Sequence, residues 1–423
     1  MRILVIGSGG REHAICSTFA RSPRVSKLFC ANGNPGIAEV AECVPVASND
    51  VPALVGFAAI NSIDLAFVGP ETPLALGVVD EFEKRGLPII GPGREAAQLE
   101  ASKSFAKDFM ARHGVPTAKY ITAHSPGFAA LTLESGDFGG ESSPVVVKAD
   151  GLAAGKGVVV ARNRAEALAA INGMEGVAGA SAAEKIVLEE CLVGREVSLI
   201  LFADGENFAL MPPTRDHKRI GEGDTGPNTG GMGTITDASL LTDTQLSEIV
   251  EKVIRPTLHG CIREGFPFRG ILFFGLMITK DGPMVLEYNV RFGDPEAQAI
   301  LVRLKSDLVD ICEAMLTGNL AALPIEWLPG SSACVILAAD GYPQKPRTGD
   351  VIEGLDKAAT MPGVTVFHSG TALDKNGRLV TAGGRVAGVT ATGENLGQAL
   401  DRAYGAVAEI NWNGMQFRPD IGR

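Results

Sequence analysis

Short apolar runs, each followed by a glycine-rich turn and an amphipathic stretch, recur through the first hundred residues. Such runs predict buried strands, and apolar positions spaced three to four residues apart predict helices. The predicted strands are Ile3–Ile6, Ile63–Val68 and Leu87–Ile90, and the predicted helices are Arg11–Ala20, Val78–Arg85 and Arg94–His113. This alternation indicates a parallel sheet whose ligands lie beyond the carboxyl ends of its strands. The turns at Gly7, Gly69 and Gly91 would all lie at that edge.

Two valine-rich runs around a glycine-rich loop form a second pattern. Val145–Val147 and Val158–Val160 predict the strands of a hairpin, because β-branched residues favour strands. The loop holds three glycines and two lysines, Lys148 and Lys156, which indicates a flexible lid over a polyphosphate. A Walker A loop would need Ser or Thr after its lysine and then a helix, whereas Gly157 and a strand follow here. The alternative is an ordinary hairpin with solvated lysines.

A strand predicted over 283–290 pairs with another over 270–278 and has polar and apolar residues on opposite faces. By period-two alternation, one face would carry Leu286, Tyr288 and Val290, and the other Glu287, Asn289 and Arg291. A carboxylate and an amide oxygen suit Mg²⁺, and a neighbouring guanidinium suits phosphoryl or carboxylate oxygens. The alternative is a solvated sheet face.

Polar, glycine-rich segments between the predicted strands indicate further binding loops. Thr214-Arg-Asp-His-Lys-Arg combines three cations with Asp216, and the irregular Asp224-Thr-Gly-Pro-Asn-Thr-Gly-Gly-Met-Gly follows. A long polar loop beside a basic cluster favours binding of an anionic substrate, although disorder is the alternative. A helix is predicted over Pro295–Leu304, with Asp294 as its N-cap.

The last hundred residues predict a smaller mixed α/β domain after a linker over 317–330. The predicted elements are strands at Ala333–Ala338, Val364–His368, Val380–Thr381 and Arg385–Thr390 and a helix at Glu394–Ile410. Gly383-Gly-Arg385 could close over the site, but a simple turn is the preferred interpretation.

Composition and charge narrow the class of protein. The 423 residues, 45% hydrophobic and 21% charged, indicate a globular protein of two to four domains. A net charge of −11 argues against nonspecific nucleic-acid binding, so any anionic substrate needs a local cationic cluster. No apolar run reaches membrane-span length, and the first is too short for a signal peptide, so a cytoplasmic location is expected. The seven scattered cysteines predict neither a disulfide framework nor a zinc site.

The turn Gly7-Ser-Gly-Gly raises the alternative of an NAD-dependent oxidoreductase. The third glycine of the dinucleotide fingerprint would fall at Glu12, and no ribose-binding acid follows near Phe29–Asn32. A phosphate site or a tight structural turn is therefore favoured over a dinucleotide site.

Taken together, the motifs resemble one family of ligases. They are Gly9-Gly-Arg-Glu-His, Gly69-Pro-Glu, Lys148-Ala-Asp-Gly-Leu-Ala-Ala-Gly-Lys-Gly, Glu189-Glu-x-Leu, Asp216-His-Lys-Arg, Thr225-Gly-Pro-Asn-Thr-Gly-Gly-Met-Gly and Asn289-x-Arg-Phe-Gly-Asp-Pro-Glu. The chain resembles the glycinamide ribonucleotide synthetase family of the ATP-grasp superfamily. The resemblance implies an α/β protein with a Rossmann-like N-terminal domain (1–103), an ATP-grasp domain (104–325, with a lid subdomain at about 117–190) and a mixed α/β C-terminal domain (326–423).

The same resemblance implies the reaction. ATP, glycine and 5-phosphoribosylamine would give glycinamide ribonucleotide, ADP and phosphate through a glycyl phosphate, as the second step of de novo purine synthesis. A monomer without nucleic-acid or membrane partners is expected. Two rivals remain, a biotin-carboxylase-like ligase, which would lack the last motif, and a non-enzymatic nucleotide-binding regulator, which has no need of Glu287 beside Asn289.

Site residues follow from the resemblance position by position. ATP would be bound by Lys103, Lys148, Gly151, Gly155, Gly157, Glu189, Leu192 and Glu196, and Mg²⁺ or Mn²⁺ by Glu287 and Asn289. The substrates would be bound by Gly9, Gly10, Pro70, Glu71, Asp216, Lys218, Asn228, Thr229, Gly231, Arg291, Asp294 and Glu296. Arg291, Lys148 and Asp216 would be the catalytic residues.

Overall fold

The computed structural model describes residues 1–152, 157–179 and 184–423. Its first part contains strands β1 (Arg2–Gly7), β2 (Lys27–Asn32), β3 (Glu42–Val44), β4 (Leu65–Val68) and β5 (Ile89–Ile90), and helices α1 (Gly10–Ala20), α2 (Val51–Ile60), α3 (Glu71–Ala75), α4 (Val78–Glu83), α5 (Arg94–Ala101) and α6 (Lys103–His113). The strands pair in parallel in the order β3-β2-β1-β4-β5. This confirms the Rossmann-like N-terminal sheet, and the turns after β1, β4 and β5 lie at its carboxyl edge.

A small antiparallel sheet follows, with a core of its own. It contains β6 (Tyr120–Ala123), β7 (Val145–Ala149), β8 (Val158–Ala161) and β9 (Ile186–Glu190), with α7 (Pro126–Glu134) and α8 (Arg164–Ala178) packed on it. The order β6-β9-β7-β8 includes the predicted valine hairpin, in which Val146 lies opposite Val160. The tip of its loop, with Gly155 and Lys156, lies outside the described residues. Side chains such as Val147, Ile171 and Leu188 form a core separate from that of the rest of the chain.

The largest sheet runs through both the central and the C-terminal parts of the chain. Its strands are β10 (Arg195–Asp204), β11 (Phe208–Leu210), β12 (Thr214–Asp216), β15 (Gly233–Thr236), β16 (Arg269–Thr279), β17 (Gly282–Asn289), β18 (Ser331–Ala338), β19 (Val364–His368) and β22 (Arg385–Gly393). The order is β17-β16-β10-β12-β15-β18-β22-β19, with β11 on β10. Antiparallel pairing of β15 with β18 joins the two parts. The predicted ATP-grasp and mixed α/β architecture is confirmed, whereas the domain limits at 103 and 325 stay a prediction.

The remaining elements are short hairpins and flanking helices. They are β13 (Arg219–Gly221), β14 (Thr225–Asn228), β20 (Thr371–Leu373), β21 (Leu379–Thr381), α9 (Asp243–Ile249), a π-helical stretch (Val250–Ile254), α10 (Arg255–Arg263), α11 (Glu296–Leu301), α12 (Leu308–Thr317), α13 (Leu355–Ala359), α14 (Leu396–Val407) and three 3₁₀ turns (Ile37–Glu39, Ala238–Leu240, Leu320–Ala322). Among the helices that the structure describes, none is both long and apolar enough to cross a lipid bilayer.

Two helix predictions were partly wrong, one in the middle of the helix and one at its start. The helix predicted over Arg94–His113 is broken at Ser102, whose backbone is extended and whose side chain accepts a hydrogen bond from the N–H of Phe105. Serine competes for backbone hydrogen bonds in this way and therefore favours caps. Asp294 does not cap α11, because Pro295 occupies the N-cap position and Asp294 instead accepts a hydrogen bond from the Gln298 side chain, at 2.7 Å.

A β-bulge changes the two faces of β17. Gly275 lies opposite Glu287, but the next residue of β16 lies opposite Val285, so Leu286 has no partner. An extra residue reverses the alternation beyond it. Val285 and Tyr288 are therefore both in the core, whereas Leu286 is not. The prediction that Leu286 shares a face with Tyr288 was wrong.

Helix α1 connects the N-terminal sheet to the C-terminal part through a buried histidine pair. The His368 backbone N–H donates a hydrogen bond to Nδ1 of His13, at 2.8 Å, and the side chain of Asn34 donates to the His368 carbonyl, at 2.9 Å. Burial lowers the pKa of His13 to about 3 and also lowers that of His368. His13 is therefore neutral, as its acceptor role requires.

We expect this pair to weaken the fold in mild acid. The unfolded chain takes up a proton at His13 near pH 6.5, but the folded protein does so only near pH 3. The stabilisation is complete above pH 6.5 and is lost as the pH falls towards 3, by about 1.4 kcal/mol per pH unit. His13→Asn keeps an acceptor that does not titrate, and should reduce the slope of unfolding free energy against pH in urea titrations. The exposed His259→Asn should keep the wild-type slope; identical slopes for all three proteins would contradict the assignment.

Candidate active site

A cavity of about 430 Å³ lies where the N-terminal sheet, the small antiparallel sheet and the large sheet meet. Most predicted site residues line it: Pro70, Glu71, Lys103, Lys148, Gly151, Gly157, Glu189, Asp216, Lys218, Asn228, Thr229, Glu287, Asn289, Arg291, Asp294 and Glu296. Five others, Gly9, Gly10, Leu192, Glu196 and Gly231, are not among the lining residues. Gly155 lies outside the described residues.

Charge in the cavity differs from that of the whole chain. The lining cations are Arg11, Lys103, Lys107, Lys148, Lys218, Arg291 and Arg385, and the lining acids are Glu71, Glu100, Glu189, Asp216, Glu287, Asp294 and Glu296. Seven of each gives a balanced wall in a chain of net charge −11. Among the described residues the cavity wall is therefore less negative than the chain as a whole, and its seven cations can meet an anionic ligand.

One end of the cavity is built around the carboxylate of Glu189. Its Oε1 lies 2.7 Å from Nζ of Lys148, and its Oε2 lies 2.8 Å from Nζ of Lys107. Lys148 also donates a hydrogen bond to the Leu286 carbonyl, at 3.0 Å. Burial lowers the pKa of Lys107 to about 8, although Glu189 opposes this shift. Glu189 is predicted to bind adenine, and both of its carboxylate oxygens already form ion pairs with lysines. Its role in adenine binding stays a prediction.

The start of α6 holds the base of the glycine-rich loop. Asp150 accepts hydrogen bonds from the Ser102 hydroxyl, at 3.1 Å, and from the Ser104 hydroxyl, at 2.5 Å. The ammonium of Lys103 donates to the Gly151 carbonyl, at 2.8 Å. The break at Ser102 therefore has a local consequence, because it places these three side chains beside the loop.

Glu287 and Asn289 offer two oxygen ligands near the centre of the cavity. Lys218 lies 3.3 Å from Glu287 and holds the pKa of that carboxyl at about 2, while Glu287 raises the pKa of Lys218. The Asn289 oxygen accepts a hydrogen bond from Arg291, at 3.2 Å. An ionised carboxylate and an amide two residues apart fit Mg²⁺ or Mn²⁺, since Mg²⁺ is held by few protein ligands together with water and phosphate oxygens. No cluster of three or more His, Cys, Asp or Glu side chains that could hold a metal occurs in the described ranges.

Arg291 is fixed between two acids. Its guanidinium lies 2.7 Å from Glu100 and 3.3 Å from Glu71. Burial raises the pKa of Glu100. Burial also disfavours the ionised form of Glu71. The positive charges of Arg291 and Arg11 have the larger combined effect, so the pKa of Glu71 is lowered. The guanidinium is therefore pre-oriented within the cavity by its own partners.

Asp216 and Glu296 form a pair of carboxyl groups at the far end of the cavity. Burial raises the pKa of both, and the charge of Glu296 raises that of Asp216 further. The Asp216 side chain packs against Gly231, where an added Cβ would lie 2.7 Å from Oδ1. Two neighbouring carboxyl groups with raised pKa values can share one proton.

Arg385 corrects the prediction that Gly383-Gly-Arg385 is a simple turn. This arginine opens β22, lines the cavity and lies 3.2 Å from Oδ2 of Asp294. It also donates hydrogen bonds to the carbonyls of Gly230 and, at 2.6 Å, Asp294. The C-terminal part of the chain thus supplies a cation to the site.

The turn Gly7–Gly10 is filled by a side chain of the protein itself. The N–H of Gly9 donates to Oε2 of Glu12, at 2.6 Å, and Oε1 of Glu12 lies 2.5 Å from Nε of Arg11. A Cβ at Gly69 would lie 2.2 Å from Oε1 of Glu12, and one at Gly7 2.5 Å from its Cγ. The glycines here make room for Glu12, and phosphate binding by Gly9 and Gly10 stays a prediction.

Four charged lining residues were missed: Arg11, Glu100, Lys107 and Arg385. Lys107 follows Lys103 by four residues, a spacing that places both on one face of a helix and could have indicated it. Arg11 lies inside the quoted glycine motif. Glu100 had no local signal, and Arg385 had only the Gly383-Gly-Arg385 stretch, for which a turn was preferred. Each reaches the site through a long-range contact.

Three family models match the chain. The N domain of phosphoribosylglycinamide synthetase matches residues 1–100, its ATP-grasp (A) domain residues 101–297 and its C domain residues 332–423. The chain belongs to the phosphoribosylglycinamide synthetase family. It is accordingly an ATP-dependent ligase of the ATP-grasp type, a class that uses ATP and a divalent metal.

Full-length relatives support this membership. The phosphoribosylamine–glycine ligase of Xylella fastidiosa (strain Temecula1) is 48% identical over 426 residues, covering 100% of this chain and 97% of the relative. That of Pseudomonas aeruginosa is 50% identical over 428 residues, with the same coverage.

Solved structures show the same architecture. The phosphoribosylamine–glycine ligase of Thermotoga maritima superposes with a TM-score of 0.83 at 33% identity, covering 100% of both chains. The biotin carboxylase domain of Hydrogenobacter thermophilus 2-oxoglutarate carboxylase, solved with MgADP, ADP and bicarbonate, gives 0.73 at 17% identity, covering 98% of this chain and 91% of that one. At that identity the second likeness concerns the fold alone.

Gly69→Ala tests whether Glu12 fills the glycine turn. The new Cβ would displace a carboxylate that Gly9 and Arg11 hold, so we expect a loss of about 1–3 kcal/mol in unfolding free energy. At Gly56 on α2, an added Cβ would have no described atom within 4 Å outside its own helix backbone. Gly56→Ala should therefore leave the unfolding free energy unchanged or raise it by about 0.4–1 kcal/mol. Chemical denaturation of both variants decides the matter, and equal stability of the two would contradict the packing described.

Proposed function

We propose that this chain joins the carboxylate of glycine to the amine of 5-phosphoribosylamine while ATP is split to ADP and phosphate, as the second step of de novo purine synthesis. One observation carries the proposal: a group of lysines, a carboxylate–amide pair and a cluster of acids and arginines line a single cavity. The full-length relatives are named for this activity, which supports the proposal. The cytoplasmic location and monomeric state stay predictions.

The reaction takes place in two displacements through a glycyl phosphate. A glycine carboxylate oxygen attacks the γ-phosphorus, and the bond to the β–γ bridging oxygen breaks to release ADP. The amine nitrogen then attacks the acyl carbon, the carbon–oxygen bond to phosphate breaks, and the amine loses a proton. Such phosphoryl transfer depends on positioning and charge neutralisation rather than on a protein nucleophile.

The nucleotide lies at the Lys148 end. Lys103 and Lys148 bind its phosphates under the loop that includes Gly151 and Gly157, and the backbone at Leu192 binds adenine. Glu196 binds the ribose. Glu189 contributes chiefly by holding Lys148, because both of its carboxylate oxygens lie within ion-pair distance of lysines.

Glu287 and Asn289 would hold Mg²⁺ or Mn²⁺. When bound there, the ion would neutralise charge on phosphate oxygens. Arg291, fixed by Glu71 and Glu100, provides a further positive charge beside these ligands.

Glycine and the amine lie between Asp216, at the end of β12, and helix α11. The acids Asp216, Asp294 and Glu296 bind their amino groups, and Lys218 binds the glycine carboxylate. One of the raised-pKa pair Asp216 and Glu296 accepts the proton that the amine loses. The ribose phosphate end is bound by Gly9, Gly10 and Pro70-Glu71, while Asn228, Thr229 and Gly231 close the loop over both substrates.

ADP release measures the reaction directly. With ATP, Mg²⁺, glycine and freshly made 5-phosphoribosylamine we expect steady ADP formation, and omission of glycine or of the amine should stop it. ADP formation that is indifferent to either substrate would contradict the ligase proposal. Formation that instead requires bicarbonate would favour the biotin-carboxylase-like rival, and hydride transfer to NAD the oxidoreductase.

Glu287→Ala tests the metal ligands. Loss of a residue that only supports a metal ligand costs about 10–100-fold. Because Glu287→Ala removes a metal ligand itself, we expect kcat to fall by more than that. Thermal unfolding should remain cooperative. Glu326→Ala, which removes an exposed ion pair with Lys305, should leave kcat unchanged. A Glu287→Ala enzyme with wild-type kcat would remove the metal assignment.

A further inference from the structure

The carboxylate of Glu189 is shared by two lysines, only one of which belongs to the predicted site. The side chains of Lys107, Glu189 and Lys148 are 2%, 2% and 8% exposed, and the two ion pairs measure 2.8 and 2.7 Å. We call these three residues the shared-carboxylate cluster. It carries two positive charges and one negative charge in a nearly dry setting, where each charge strongly affects the others.

Further hydrogen bonds tie Lys107 to the body of the protein. Its ammonium donates to the Thr117 hydroxyl, at 2.7 Å, and that hydroxyl donates to the Val285 carbonyl, at 2.6 Å. Lys148 donates to the neighbouring Leu286 carbonyl. The cluster therefore links α6, the small sheet through β7 and β9, and strand β17 of the large sheet. Lys107 cannot move away from Glu189 without breaking this network.

The count of charges decides what Lys148 can offer a ligand. Without Lys107, Lys148 would be the only cation among the described residues within ion-pair distance of Glu189, and the pair would present little net charge to a polyphosphate. With Lys107, the cluster keeps one net positive charge at the cavity wall. We propose that Lys107 is a positioning residue which, by sharing Glu189, leaves the charge of Lys148 available to the phosphates of a nucleotide. This inference rests on the proposed function, in which Lys148 binds ATP.

The environment of Lys107 agrees with this role. The charged and polar groups around it are Glu189 and Glu190 on β9, Lys148 on β7, the Thr117 hydroxyl and the ring of Tyr120, whose centre lies 5.7 Å from its ammonium. Since burial lowers its pKa to about 8, affinity for ATP should decline as the pH rises through 8. That decline should be absent when Lys107 is replaced by methionine.

Nucleotide binding by the full chain tests the proposal. Dissociation constants for ATP, ADP and adenosine are measured by calorimetry for the wild type and for Lys107→Met. We expect Kd for ATP and ADP to rise by about ten-fold or more, the scale of one charged contact, with little change for adenosine. Equal weakening of ATP and adenosine, or no weakening of either, would overturn the proposal. A wild type that does not bind ATP would contradict the proposed function instead.

A second pair of variants separates sharing from direct phosphate contact. In Lys107→Met/Glu189→Gln the carboxylate charge is gone, so Lys148 is free and ATP affinity should return to within about three-fold of Glu189→Gln alone. If Lys107→Met costs as much in the Glu189→Gln background as in the wild type, Lys107 contacts phosphate itself and the proposal fails. If the single Lys107→Met variant does not fold, the double variant is compared with Glu189→Gln alone, and an ATP affinity about ten-fold or more weaker in the double variant overturns the proposal.

Arg303→Met is the matched control. Arg303 is another buried cation that does not line the cavity. Its guanidinium donates hydrogen bonds to the Thr236 hydroxyl and the Leu328 carbonyl. We expect it to lower the melting temperature as Lys107→Met does but to leave the ratio of ATP to adenosine affinity unchanged. A changed ratio in this control would show that loss of any buried cation alters nucleotide binding, and would overturn the specific role of Lys107.

Discussion

The antiparallel pairing of β15 with β18 is the contact on which the site depends. It aligns Thr234 with Cys334 and makes one sheet of strands from the central and C-terminal parts of the chain. Because β22 pairs with β18 in turn, Arg385 at its start is brought to Asp294 and to the glycine-rich loop at Gly230. The C-terminal part is thus a wall of the cavity, and its position is set by backbone hydrogen bonds rather than by flexible side chains.

Opposite charges held at close range are the second constraint on this cavity. Burial of an unpaired charge is costly, and most charged wall residues have an ion-pair partner in the part of the chain that the structure describes. The exceptions there are Lys103, Asp216 and Glu296. Arg291 lies between Glu71 and Glu100, Lys218 beside Glu287, and Arg385 beside Asp294. A ligand therefore enters a site whose side chains are already oriented, which lowers the entropy lost on binding.

Local signals in the sequence predicted the parallel sheet and the valine hairpin, because strand periodicity and glycine turns are local properties. Most of the predicted cavity wall came from the resemblance of the motifs to a known family. The rest depends on contacts between distant residues. Nothing near Gly7 indicates that Glu12 occupies the turn, and nothing near Arg385 indicates a partner at Asp294. The break at Ser102 was missed because its cap and its bonds to Asp150 outweigh the helical pattern around it. The family motifs named the ligands but not the residues that hold them.

The bulge at Leu286 gives strand β17 one residue that its pairing does not need. This additional residue lets Val285 face the core and Glu287 face the cavity within the same strand. Val285 and Glu287 already lie opposite adjacent residues of β16, so removing Leu286 itself would restore regular alternation. Glu287 and Asn289 would then still face the cavity and Tyr288 the core. Removing a residue beyond the bulge would instead move every following side chain to the opposite face. The strand should therefore tolerate the loss of a residue at the bulge but not after it.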